Sequence, residues 1–382
     1  MTGTAAALIT RLTLSDFRNY RHLDIQFSAR LSAFVGDNGA GKTNVLEAIS
    51  FLTAGRGIRR AGLSDIARHA GSGGWSVAAR LAGEFLETRI GTGFTPGEAG
   101  RKVRIDGADA RSTEALLDHV RALWLVPSMD GLFLGPGSDR RRFLDRLTLS
   151  LDPAHGRRVG DFEKALRNRN KVLEQGAPDA YANAVETQVA ELGTAVSLAR
   201  RETTALLTSA LSAQSKIANA FPSADVVLAG EFETEFEGAA ASDIEDAYRT
   251  ALQTTRRRDQ AAGRTLFGPH LSDLKVHHRE KQMPASKCST GEQKALLIGL
   301  ILGHAGLTKS MTGSPPVLLL DEVAAHLDPN RREALFEKLH AMGGQVFMTG
   351  TDAGLFEALP ASGEIFSIDN SRARLLKSSN HP

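Results

Sequence analysis

The chain has 382 residues, 42% of them hydrophobic and 24% charged, the make-up of a globular protein with room for two or three domain-sized units. A formal net charge of only +2 excludes a global electrostatic field for nucleic acid and leaves local patches. The single Cys288 excludes internal disulfides and a cysteine-based zinc site, and fits a reducing cytosol. The first ten residues lack the basic region and long apolar core of a signal peptide, and no run approaches the ~18 apolar residues of a membrane span. Arginine outnumbers lysine by about three to one, which suits bidentate phosphate contacts but is also what G+C-rich coding gives.

Strands are expected at 7–14, 23–27 and 31–35, with a basic and aromatic turn, Asp16-Phe17-Arg18-Asn19-Tyr20-Arg21, between the first two. The third strand runs into Gly36-Asp37-Asn38-Gly39-Ala40-Gly41-Lys42-Thr43, and residues 44–52 follow with apolar positions at helical spacing. This is G-x-x-x-x-G-K-[ST] in its strand–turn–helix context. Glycines let backbone N–H groups ring a phosphate, and the helix N-terminus adds partial positive charge. Lys42 then reaches the β- and γ-phosphates, and the Thr43 hydroxyl is placed for Mg²⁺. The chain is therefore expected to bind a nucleoside triphosphate.

A basic loop follows at Gly55-Arg56-Gly57-Ile58-Arg59-Arg60, then strands at 75–81, 88–90 and 103–107, with the glycine-rich 91–100 as a hairpin loop or a disordered tip. From about 113 the periodicity becomes helical, over 113–122, 138–151, 157–175, 179–215 and 243–262. The longest of these suit an antiparallel pair, and no sustained heptad marks a long coiled-coil arm. Beyond them a strand is expected at 273–278, a helix at 291–311, a strand at 316–320, a helix at 329–342 and strands at 344–349 and 364–368. The order is half a sheet, a helical insert, then the rest of the sheet: 1–112, 113–265 and 266–382.

Pro316-Val317-Leu318-Leu319-Leu320-Asp321-Glu322 is an apolar strand ending in two acids. Beside a phosphate loop, Asp321 is the expected partner of Mg²⁺ and Glu322 the group that orients or deprotonates the attacking water. Ser289-Thr290-Gly291-Glu292-Gln293-Lys294 opens the 291–311 helix, and Ser289 with Glu292 reads on its own as a capping box.

The same stretch resembles the signature motif of ABC-type ATPases, in which the serine hydroxyl and glycine amide, here Ser289 and Gly291, bind the γ-phosphate held by the opposite subunit. Ala325-His326-Leu327-Asp328 is similar to their D-loop. Ser289 lies 253 positions after Gly36, a longer separation than in transporter ATPases and one that suits the branch whose head is split by an insertion. The Phe17-Arg18-Asn19-Tyr20 turn, Gly135-Pro136 with Arg140-Arg141-Arg142-Phe143-Leu144-Asp145, and Gly268-Pro269-His270 narrow it further. Together they resemble the RecF family of bacterial recombination mediators. Against that family's pattern, Leu271-Ser272-Asp273 replaces an Arg-Asp-Asp-like run and Gly57 replaces a serine. The late strand ends Met348-Thr349-Gly350-Thr351 without the switch histidine of transporters.

The resemblance implies an α/β ABC-type P-loop ATPase head with a mixed, mainly parallel sheet, an additional antiparallel N-terminal sheet and an inserted, mainly helical lobe. It implies a cytoplasmic protein, with no membrane partner, that binds ATP and Mg²⁺ at a composite site. Lys42, Thr43, Asp321 and Glu322 come from one subunit, with Ser289 and Gly291 from the other and Asp328 in the D-loop. Arg18 and Asn19 resemble positions near the nucleotide phosphates; a solvated turn is the plain alternative. An ATP-dependent homodimer follows, with hydrolysis to ADP and phosphate slow, DNA-stimulated and used for release. The implied partners are double-stranded DNA at single-strand gap junctions, bound without sequence preference, and RecO and RecR. Arg56, Arg59, Arg60, Arg140 and Arg141 are the candidate phosphate contacts, against the alternative of solvated helix faces. A subunit of another ABC-type system, or another P-loop enzyme such as a small-molecule kinase, remains open at this stage.

Overall fold

The computed structural model describes residues 8–83, 87–214 and 220–378; Ala7 and Ser215, the ends of two expected elements, lie outside them. In chain order the first elements are β1 (Leu8–Phe17), β2 (Tyr20–Gln26), β3 (Leu31–Val35), α1 (Lys42–Ser50), α2 (Leu63–Ile66), β4 (Trp75–Ala82), β5 (Glu87–Phe94), β6 (Lys102–Ile105), β7 (Ala108–Asp109) and β8 (Ala122–Leu125). Next come α3 (Gly137–Leu151), α4 (His155–Glu174), α5 (Asp179–Gln214), β9 (Ala224–Ala229), α6 (Glu231–Glu235), α7 (Ala241–Thr254), α8 (Arg256–Ala262), β10 (Asp273–His278) and β11 (Met283–Pro284). The last are α9 (Thr290–Thr312), β12 (Val317–Leu320), α10 (Pro329–Met342), β13 (Val346–Gly350), β14 (Glu364–Asp369) and β15 (Arg372–Lys377).

The described residues form two compact units, the first drawn from 8–130, 220–221 and 297–378, the second from 131–214 and 222–296. The first unit carries two sheets. One is antiparallel, ordered β2-β1-β4-β5-β6-β7; the other is ordered β15-β14-β3-β13-β12-β8, all parallel except β15. Strands β3, β12 and β13 are buried at every residue, as a parallel sheet covered on both faces requires. A core of Leu12, Leu14, Phe17, Phe34, Leu46, Ile49, Phe51, Trp75, Leu319 and Phe347 fills the space around α1 and the sheets. Register places Ala33 beside Met348 and Met348 beside Leu320. The carboxyl ends of β3, β13 and β12 therefore lie on one edge, where parallel α/β sheets hold their ligands.

The second unit is mainly helical, with a small sheet ordered β11-β10-β9. Helices α4 and α5 pack through Phe162, Ala165, Val172, Val185, Val189 and Val196, joined by Phe232, Ile244 and Tyr248.

Several expectations are corrected. Residues 113–122 form only a short 3₁₀ turn, Thr113–Asp118. Ala122–Leu125 is instead a strand paired in parallel with β12, because four consecutive apolar residues read equally as helix or buried strand. The insert thus begins after 130, and β10 belongs with β9 in the helical unit. Gly91–Phe94 continue β5 instead of looping, the 243–262 helix breaks at Thr255, and β9 and β15 were not foreseen. Helix α9, 23 residues long, is apolar enough by length and composition alone to cross a membrane; 67% of its most apolar window is buried within the protein.

Candidate functional site

β3 ends at Val35, and Gly36 leaves the sheet at φ +146°. A Cβ there would lie 2.3 Å from the Ile368 carbonyl oxygen, so only glycine fits. Gly41, at φ +116°, stands where a Cβ would meet the Asn19 amide and Tyr20 hydroxyl at 2.6 Å each. As N-cap of α1 it supplies no side-chain acceptor, and the first turn carries no acid. The N–H groups and the positive helix end are thereby left for an external anion. Lys42 is buried and curls over this loop, its Nζ donating to the carbonyls of Gly36 (2.6 Å) and Asp37 (2.9 Å). Asn38 and Gly39 form the tip of the turn, and the Ala40 N–H closes it onto the Asp37 carbonyl at 3.2 Å.

The acidic strand meets this loop. Thr43 Oγ1 lies 2.9 and 3.0 Å from the two Asp321 carboxylate oxygens. Thr349 Oγ1 donates to Asp321 Oδ1 at 2.6 Å, and the Asp321 N–H donates to the Leu125 carbonyl at 2.8 Å. Asp321 is 5% exposed, yet among the described residues no cation pairs with it. Burial normally demands a counter-charge for a carboxylate. A hard divalent cation, bound through the Asp321 and Thr43 oxygens and water, would supply it, so the residues present fit Mg²⁺. Glu322 follows at φ +53°, a left-handed conformation that a non-glycine residue holds only against strain. Its N–H donates to Thr349 Oγ1 at 2.9 Å.

Behind the loop, Asn19 Nδ2 donates to the Ala40 carbonyl (3.1 Å) and its Oδ1 accepts from Asn44 (2.7 Å). The Tyr20 hydroxyl donates to the Gly41 carbonyl at 3.1 Å; burial pushes this phenol well above its ordinary range. Ser371, in the β14–β15 turn, donates to the Asn19 carbonyl at 3.1 Å. Arg18 grips Glu47 of α1 with two bonds of 2.8 and 2.7 Å and reaches the Asp65 carbonyl at 2.8 Å. Arg59 binds the same carboxylate and Asn44 Oδ1. Asn19 thus braces the loop backbone, while the Arg18 guanidinium is committed to a fully buried glutamate.

In the second unit, Ser289 and Glu292 form the reciprocal capping box: the Ser289 N–H donates to Glu292 Oε2 at 2.9 Å, and the Glu292 N–H points at Ser289 Oγ at 3.4 Å. Lys281 pairs with Glu292 and, with the Ser289 N–H, holds that carboxyl down at about 2. A Cβ on Gly291 would meet nothing within 4 Å, so no packing among the described residues calls for glycine there. Asp328 is exposed and caps α10 by accepting from the Arg331 N–H.

Residues 8–373 match the RecF/RecN/SMC N-terminal domain family. The DNA replication and repair protein RecF of Rhizobium etli is 52% identical over 367 residues, covering 95% of this chain and 98% of that one. Its counterpart in Allorhizobium ampelinum is 53% identical over 370 residues, covering 96% and 98%. The chain belongs to the RecF family. Its fold is that of a solved recombination mediator protein RecF with ATPrS, in the RecFOR pathway, at TM-score 0.87, 23% identity and 98% and 100% coverage. An Smc head domain from Pyrococcus furiosus, with its extended coiled coil and bound to the C-terminal domain of ScpA, follows at TM-score 0.55, 16% identity and 98% and 96% coverage.

For a RecF-family chain, the five candidate DNA arginines divide. Arg56 and Arg60 are exposed. Arg59 is held by Glu47. Arg140 is locked on Asp273 at 2.7 and 2.9 Å and on the Gly135 carbonyl at 2.6 Å, and Arg141 donates to the Ser272 carbonyl at 2.7 Å. Sequence reasoning gave no site role to Tyr20 or Glu47, although both lie in stretches that carry the resemblance, nor to Ser371 or Thr349. Thr349 carried one signal, a hydroxyl closing the wholly apolar run Val346-Phe347-Met348; the others depend on contacts distant in sequence.

Proposed function

We propose that this chain is an ATP-binding DNA repair protein of the RecFOR pathway, working in the cytoplasm as an ATP-driven dimer. The observation that carries the reading is the meeting of Thr43 with the buried carboxylate of Asp321, which no cation among the described residues pairs. The loop N–H groups and Lys42 bind the triphosphate; Thr43 and Asp321 would hold Mg²⁺, which would supply charge neutralisation for the phosphates. Glu322 takes a proton from water as its oxygen bonds the γ-phosphorus, and the bridging oxygen leaves with ADP. Ser289 and Gly291 reach the γ-phosphate of the opposite subunit, supported by a Gly291 that packing does not require. Because the γ-phosphate contacts both subunits, ATP stabilises a dimer that ADP does not, and slow, DNA-stimulated hydrolysis releases it.

The names of the relatives support DNA repair within the RecFOR pathway; double-stranded DNA at gap junctions is the substrate that this reading assigns, with RecO and RecR as partners in loading recombinase. The exposed Arg56 leads the phosphate contacts, with the exposed Arg60 beside it; Arg59 joins them by leaving Glu47. Such contacts make affinity fall with salt and carry no sequence preference. A small-molecule kinase would share the loop but have no use for Ser289 in trans.

Sedimentation of wild type and Glu322→Gln, with ATP, ADP or neither, and with or without a gapped duplex, tests the reading. An ATP-only dimer, longer-lived in the variant and strengthened by DNA, is expected. A monomer under every condition overturns it.

A further inference from the structure

We propose that Thr349 is the positioning residue of the hydrolytic site: its single hydroxyl fixes both the metal-holding carboxylate of Asp321 and the backbone of Glu322. The inference rests on the ATPase reading above and adds to it a residue outside the phosphate loop, the acidic pair and the signature.

The proton count sets the direction of the bonds. Thr349 Oγ1 accepts from the Glu322 N–H at 2.9 Å, so its own hydrogen is free for Asp321 Oδ1 at 2.6 Å. A hydroxyl used this way at both ends has one orientation. Thr349 is 1% exposed, on a strand buried at every residue and paired in register with β12, Met348 beside Leu320. Sheet pairing and packing therefore fix the oxygen itself. Its two partners are consecutive residues with different tasks. Asp321 Oδ1 is shared with Thr43, so the Thr349 bond restricts how the carboxylate turns towards a cation. Glu322 stands at φ +53°, a backbone that strain would relax without a restraint; the bond from its N–H is that restraint. Since the side chain of Glu322 leaves from this backbone, loosening it moves the carboxylate that must face water. Positioning groups one bond removed from a metal or a base act through such geometry, and their loss costs activity without removing the group itself.

Thr349→Val keeps the shape and removes the hydroxyl; Thr349→Ser restores it. Three quantities are read on the full chain: ATP affinity in EDTA, ATP affinity with Mg²⁺, and the single-turnover hydrolysis rate. In the valine variant, affinity in EDTA stays within about threefold of wild type, because the phosphate loop is untouched. The gain in affinity on adding Mg²⁺ shrinks, and the hydrolysis rate falls on the order of 10- to 100-fold. Thr349→Ser recovers both. A valine variant equal to wild type in Mg²⁺ gain and in rate overturns the inference, as does a serine variant no better than valine. Loss of affinity in EDTA together with lowered thermal stability also overturns it, marking a purely structural residue. Failure of wild type to bind ATP is a different result and strikes the ATPase reading itself.

Discussion

Asp321 in the first unit and Arg169 in the second are both buried charges, and they are satisfied in opposite ways. Arg169 is fully buried and closed: Glu186 at 3.2 Å, Asp259 and Thr265 at 2.8 Å and the Leu252 carbonyl at 2.6 Å surround it. Arg256 adds a second cation to Glu186. Asp321 is held by the hydroxyls of Thr43 and Thr349, with no cation among the described residues. A charge that only has to hold a helix in place ends its demand for partners inside the chain. A charge that has to bind something is left with part of that demand unmet.

The largest expected effect comes from opening the closed cluster. Arg169→Met leaves Asp259 buried without its main partner and should cost about 3–5 kcal/mol of unfolding free energy, read by urea denaturation. A loss under about 1 kcal/mol would mean that the cluster is not closed. A second ion cluster in the same unit is readable by pH. Burial works to raise the Asp145 carboxyl, but Arg200, at 2.8 and 2.9 Å, and His155 outweigh it and hold it at about 2. A carboxylate lowered on folding contributes stability that is complete above its unfolded value near 4 and is lost as pH falls towards 2. That contribution is roughly 2 kcal/mol, and Asp145→Asn should flatten the acid limb of a stability–pH profile between about pH 4 and pH 2. A limb of unchanged steepness would remove Asp145 from the account.

At the open charge the sign reverses. Asp321→Asn keeps an acceptor for Thr43 and Thr349 and removes a buried charge that no cation among the described residues pairs. Without nucleotide it should leave unfolding free energy unchanged or raise it by up to about 1 kcal/mol. The same variant should lose the Mg²⁺-dependent part of ATP affinity. A marked destabilisation without ligand would show that Asp321 is as structural as Arg169, and the contrast between the units would fail.

How much of this was legible in the sequence follows from the range of the interactions. The loop from Gly36 to Thr43, the strand to Asp321 and the helix after Asp328 are each written in consecutive residues, and each stands where its pattern put it. The strand Ala122–Leu125 was missed, only its first residue falling in the expected 113–122 helix, because a short apolar run shows no period of its own and only pairing with β12 decides its conformation. Arg18 and Arg59 look alike as exposed basic turn residues until Glu47, a residue of the apolar-looking α1, is seen to hold both. Arg140 and Arg141 form a charge run in sequence but are absorbed by Asp273 and the Ser272 carbonyl more than a hundred positions away. Thr349 is the sharpest case. Its neighbours in sequence are apolar, and its importance comes entirely from the register that sets β13 against β12.

The smallest stability effect tests the other half of the proposed composite site. Gly291 is the second residue of α9, has no neighbour that a Cβ would touch, and sits in a helix where alanine is preferred over glycine by about 0.5–1 kcal/mol. Gly291→Ala should therefore leave the nucleotide-free monomer as stable as wild type or slightly more so, read by thermal unfolding. A subunit viewed alone gives no reason for glycine at this position. If the reason lies across a dimer interface, the added methyl enters space reserved for the opposite subunit's γ-phosphate, and the ATP-driven dimer weakens in sedimentation while ATP still binds the monomer. Should the dimer form as readily as in wild type, Gly291 is an ordinary helix-start residue and the trans contact rests on Ser289 alone. A gain in stability coupled to a loss of assembly would separate the structural demand from the functional one at a single carbon atom.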